Sequence, residues 1–111
     1  MTIEDINKSL RSPVIKGAKI EMGGYAWILP PLTLRQLDDL NDQIRESKGD
    51  ERKIFEANLH GIAMALQRNY PAVSLEDMLD LVDAGNYKEV LNAMAGISGV
   101  ALGNASGAGS P

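Results

Sequence analysis

The chain has 111 residues, 11 Lys and Arg against 15 Asp and Glu for a formal net charge of −4, and a hydrophobic content of 44%. That length suits one domain with one modest core. The absence of cysteine excludes disulfides and thiolate chemistry, one histidine excludes a multi-histidine metal site within one chain, and no apolar run approaches the roughly 18 residues of a membrane span.

The opening Met1-Thr2-Ile3-Glu4-Asp5 has neither the basic start nor the apolar stretch of a secretory signal. A cytoplasmic protein is expected. Residues 1–13 are expected to form an N-terminal arm. Ile3, Ile6 and Leu10 fall at helical spacing, so a short amphipathic helix is expected there, ended by Pro13.

Residues 18–29 predict a β-hairpin. Ala18-Lys19-Ile20-Glu21-Met22 alternates apolar and polar, Gly23-Gly24 supplies a two-residue turn with positive φ at both positions, and Tyr25-Ala26-Trp27-Ile28-Leu29 is rich in strand-forming types. Parity places Ile20 and Met22 on a face that meets Tyr25 and Trp27. Pro30-Pro31 stops the strand. A lone hairpin is marginal in water, so this one must pack on helices or pair with something else.

Four helices are predicted next. Thr33 and Gln36 form a capping box, and Leu34, Leu37, Leu40 and Ile44 line one face up to the break at Gly49-Asp50. A second helix over about 51–69 carries Phe55, Leu59, Ile62 and Leu66, and its second half is apolar on several sides, as a central helix requires. Tyr70-Pro71 ends it. Ser74 caps a third helix with the stripe Leu75, Met78, Leu79 and Val82, and Gly85 is expected as its left-handed C-cap. Asn86 is expected to cap the last helix, with Val90, Leu91, Met94 and Ile97 as its stripe. The fold class is therefore α+β and mostly α: a hairpin followed by about four helices in one small domain, residues 14–98. Five of the 11 glycines fall after residue 95, and residues 99–111 carry no charge. That stretch is expected to be a flexible Gly/Ala/Ser tail.

Charge divides along the chain, with a net of +2 over residues 1–35 and −6 over residues 36–111. The acidic body argues against nucleic acid. Catalytic constellations are sparse. His60 has Glu56 one turn before it but no third member. Asp38, Asp39 and Asp42 do not fit a calcium loop, and Glu76, Asp77, Asp80 and Asp83 read as a solvated helix face. No phosphate-binding loop is present. Neither a catalytic site nor a cofactor or metal site is expected.

Apolar surface is the remaining feature. Tyr25, Trp27, Ile28 and Leu29, with Leu32 beside them, are the candidate protein-interaction residues, because Tyr and Trp are enriched at binding hot spots. The competing reading is that Trp27 caps the core. A free hairpin edge also suits strand addition and self-association.

The stretch Gly24-Tyr25-Ala26-Trp27-Ile28-Leu29-Pro30-Pro31-Leu32-Thr33-Leu34-Arg35-Gln36-Leu37 resembles the opening of tail assembly chaperones of long-tailed bacteriophages, in which a short hairpin leads through Pro-Pro-Leu into a leucine-rich helix. Leu81-Val82-Asp83-Ala84-Gly85-Asn86-Tyr87, then Val90 and Gly96-Ile97-Ser98-Gly99, is similar to their last two helices and exit. The resemblance implies a non-catalytic protein of the host cytoplasm, made during tail morphogenesis and absent from the finished virion. It implies the tape measure protein and tail tube subunits as partners, and a longer frameshifted form diverging near the uncharged tail. The alternative is a small structural tail protein, a completion or connector subunit, that stays in the virion.

Overall fold

The Gly23-Gly24 turn joins β1 (Ala18–Met22) to β2 (Tyr25–Leu29) as an antiparallel pair. Both glycines have positive φ, 60° and 85°, as a tight hairpin turn with right-handed strand twist demands. Ile20 lies opposite Trp27 and Met22 opposite Tyr25, the pairing that the alternation predicts. Gly17, just before β1, lies so close to the other strand that a Cβ there would fall 1.9 Å from the Leu29 carbonyl oxygen.

The structure, a computed structural model, describes residues 2–99. It has one helix before the hairpin, α1 (Ile3–Lys8), and four after it: α2 (Leu34–Glu46), α3 (Glu51–Gln67), α4 (Leu75–Leu81) and α5 (Tyr87–Ser98). The fold is thus α+β and mostly helical. Capping boxes start α1, α2 and α4. Thr2, Thr33 and Ser74 each accept a backbone N–H three residues on, and Asp5, Gln36 and Asp77 reach back. Asp50 caps α3 through Lys53 N–H.

The core gathers around α3. Its Ile62, Ala63, Ala65 and Leu66 are buried together with Trp27 and Leu29 of the hairpin, Leu40 of α2, Met78 of α4, and Val90 and Met94 of α5. Gly61 lets α2 and α5 approach, since a Cβ there would meet Leu40 at 3.1 Å and Met94 at 3.3 Å.

Three expectations change. The N-terminal arm is part of the folded body. Ile6 is buried in the core and α1 packs against β2, because the apolar side of this short helix has hairpin surface to cover. Gly85 is not a left-handed cap. Helix α4 ends at Leu81 with Val82 in extended geometry, and the Asp83 carboxylate turns the chain by accepting Gly85 and Asn86 N–H groups. Asn86 precedes α5 without capping it through its side chain, which instead accepts Asp83 N–H and donates to Leu81 C=O. The last helix does end in a left-handed glycine, Gly99, with φ 67°. The rest of the expected tail, 100–111, lies outside the described residues.

Candidate protein-interaction surface

The five residues expected to meet a partner do not share a surface. Trp27 and Leu29 are 0% exposed and Leu32 is buried, while Tyr25 and Ile28 are half-buried. The face carrying Trp27 and Leu29 is covered within the chain, since β2 packs against α1 and α3 and β1 against α5. Trp27 meets Tyr70 edge to face with ring centroids 4.9 Å apart, and its Nε1–H donates to the Met22 carbonyl at 3.0 Å. Leu32 N–H donates to the Ser98 hydroxyl at 2.9 Å, which ties the chain after the hairpin to the end of α5. Trp27, Leu29 and Leu32 are core residues, and the core reading of Trp27 is the correct one.

Side chains also occupy most of the outer edge of β2. Asn7 Nδ2 donates to Ala26 C=O at 2.8 Å. Ile28 N–H donates to the Tyr70 hydroxyl at 2.9 Å, and Ile28 C=O accepts from Asn69 Nδ2 at 3.1 Å. Asn69 is fully buried. Its amide also donates to Ile15 C=O and accepts Ile15 N–H, both at 2.8 Å, while its own carbonyl accepts Arg11 N–H. Side chains from the end of α3 thus do for β2 what a third strand would do, and they clamp the N-terminal segment to the same place. Strand addition at β2 is therefore disfavoured: three of the four backbone groups that would receive a new strand, Ala26 C=O, Ile28 N–H and Ile28 C=O, are occupied. Burial raises the Tyr70 pKa, and the Ile28 N–H opposes it by favouring the phenolate. In the sequence Tyr70 marks a helix stop and Asn69 carries no signal, since no local pattern marks partners 41 to 54 residues away.

Apolar surface is free on a different part of the molecule. Leu34, at the first turn of α2, is 85% exposed; Leu75 and Leu79, one turn apart on α4, are 46% and 59% exposed. The cause on α4 is geometric. At about 100° per residue, Leu81, Met78, Val82, Leu75 and Leu79 span an arc of about 160°. Contact with α3 buries the Met78 and Leu81 side of that arc and leaves Leu75 and Leu79 at its lip.

That lip borders a groove of about 590 Å³. Its floor is the first half of α3, at Ala57, Leu59 and His60. The C-terminal half of α2, at Gln43, Glu46 and Ser47, forms the opposite wall. Lys53 and Glu56 complete the lining, so two carboxylates face one ammonium. On α4 the exposed Glu76 and Asp80 follow the leucine lip outward. His60 Nδ1 lies 3.2 Å from Gln43 Nε2 and accepts its N–H when the ring proton sits on Nε2. Glu56 turns to Arg52, at 3.8 Å, rather than to His60. Ser47 is buried and donates to Ile44 C=O, closing the turn where Lys48 and Gly49 take φ of 53° and 82°. The arrangement offers an apolar strip with acidic borders and the Gln43–His60 polar pair, which suits an amphipathic segment of another chain.

The acidic clusters are divided among structural tasks. Asp77 and Asp83 serve caps and turns, Asp42 pairs with Arg45, and among the described residues no three of His, Asp and Glu come together as metal ligands. No helix among the described residues is long and apolar enough to cross a membrane. Comparison with protein-family models, curated proteins and solved structures finds no match for this chain.

Proposed function

We propose that this chain is a non-catalytic tail assembly chaperone of a long-tailed bacteriophage, acting in the host cytoplasm and absent from the mature virion. It holds apolar helical segments of the tape measure protein and recruits tail tube subunits to them. The observation that carries this reading is the leucine pair Leu75 and Leu79, exposed beside a groove on an acidic helical body. A long helical client that is not yet enclosed needs apolar surface to lean on, displayed by a protein that itself stays dissolved. Leucines one turn apart match the i, i+3, i+4 anchors of a client helix, and Glu46, Glu56, Glu76 and Asp80 favour a client with Lys or Arg beside its apolar stripe. The hairpin that leads through Pro30-Pro31-Leu32 into α2, and the resemblance of this stretch to the chaperone family, support the same reading.

Trp27, Leu29 and Leu32 are buried, so the proposed contact uses α2, α3 and α4 in place of the hairpin. Co-expression with the tape measure and tube proteins of the same phage tests the role. The chain is expected to co-purify with the tape measure protein and keep it in the soluble fraction. Failure to retain or solubilise either protein withdraws the proposal.

A further inference from the structure

The two edges of the hairpin are treated differently. Met22 and Tyr25 flank a two-residue turn and exchange ladder hydrogen bonds, and the bonded pairs then alternate along the strands. Ala26 and Ile28 therefore direct their N–H and C=O away from β1, where Asn7 takes Ala26 C=O, Tyr70 takes Ile28 N–H and Asn69 takes Ile28 C=O. By the same register Glu21, opposite Ala26, and Lys19, opposite Ile28, direct theirs out of the β1 edge. Both residues are exposed, and among the described residues nothing takes those four backbone groups.

We propose that the β1 edge is the site at which a second copy of this chain binds, β1 antiparallel to β1 about a two-fold axis at Ile20. Lys19 of each copy then lies opposite Glu21 of the other. Both are bonded pairs, so four backbone hydrogen bonds form and two opposite-charge pairs face each other on the exposed side. Ile20 meets its equivalent at the axis, with its side chain still in its own core. The neighbouring registers of the same phase set Lys19 against Lys19 or Glu21 against Glu21, which like charge disfavours. The product is a four-stranded sheet in the order β2, β1, β1, β2. On each outer strand Asn7, Asn69 and Tyr70 already take three of the four outward groups, so assembly stops at two copies rather than running on as a fibre. This inference does not depend on the groove or its client.

Sedimentation velocity on the full chain at concentrations up to about 1 mM tests it. The wild type is expected to show a concentration-dependent monomer–dimer equilibrium that weakens with salt. Lys19→Glu and Glu21→Lys are each expected to weaken dimerisation by about tenfold or more, since each replaces two attractive pairs with two repulsive ones. The double swap Lys19→Glu/Glu21→Lys in one chain restores the homodimer. Mixing the two single variants gives a heterodimer. Circular dichroism verifies that these surface variants fold. A wild type that stays monomeric throughout overturns the proposal. So does a dimer that neither single change weakens, or one that the double swap does not recover.

Discussion

The Tyr70 hydroxyl accepts the Ile28 N–H at 2.9 Å, so the end of α3 closes the edge of a strand 42 residues earlier in the chain. The same ring packs edge to face on Trp27. One residue therefore joins the central helix to the hairpin by both a polar and an apolar contact.

Tyr70→Phe keeps the ring and leaves Ile28 N–H without its partner. A loss of about 1–3 kcal/mol in urea unfolding is expected. The pH dependence changes as well. Burial raises the folded-state pKa of Tyr70 above its ordinary value of 10.0. Its contribution is therefore complete below about pH 10 and is lost as pH rises through the folded value. Stability measured from pH 8 upward, on the order of three pH units, should fall more steeply for the wild type than for Tyr70→Phe.

Asn69→Ala strips partners from Ile15 N–H, Ile15 C=O and Ile28 C=O at once. The expected cost is at least about 2 kcal/mol. Amide exchange at Ile15 should accelerate more than exchange in the middle of α3, because the N-terminal segment loses its clamp first. Equal acceleration everywhere would mean that Asn69 acts through global stability alone.

Trp27→Ala is expected to cost about 3–5 kcal/mol, as for a large aromatic removed from a core. Melting temperature reads this directly. Ile28→Ala, at a half-buried position, should cost clearly less. A Trp27 variant that melts with the wild type would return that residue to the surface.

Gly17→Ala places a methyl group 1.9 Å from the Leu29 carbonyl oxygen, a backbone atom that cannot swing aside. A destabilisation of at least about 1–3 kcal/mol is expected. Loss of the cross-strand contacts between Ala18 and Leu29 in a nuclear Overhauser spectrum would locate it.

Much of the fold is legible in the sequence because the deciding interactions are local. Gly23-Gly24 and the period-two alternation set the hairpin register, and Thr33 with Gln36 marks the start of α2 three residues apart. The interaction surface is less legible for a physical reason. Alternation shows that Ile20, Met22, Trp27 and Leu29 share a face, but whether that face meets a partner or the chain's own helices is decided by packing. The stripe Leu75, Met78, Leu79 and Val82 is visible, yet which part of a wide apolar arc is covered depends on how α4 rests on α3. Asn69 carries no local signal, since its partners lie across the molecule. The expected caps at Gly85 and Asn86 fail because Asp83 offers the backbone a competing turn.

The role of Leu75 and Leu79 is measured most directly by titrating the tape measure protein, purified in the presence of detergent and then diluted out of it, into wild-type chain and into Leu75→Gln/Leu79→Gln. Glutamine suits a helix surface, so unfolding of the variant should shift by about 1 kcal/mol or less. Calorimetry should show binding by the wild type that the double variant weakens by about tenfold or more. Equal binding by both proteins, or none by the wild type, would contradict the placement of the client on the α4 lip.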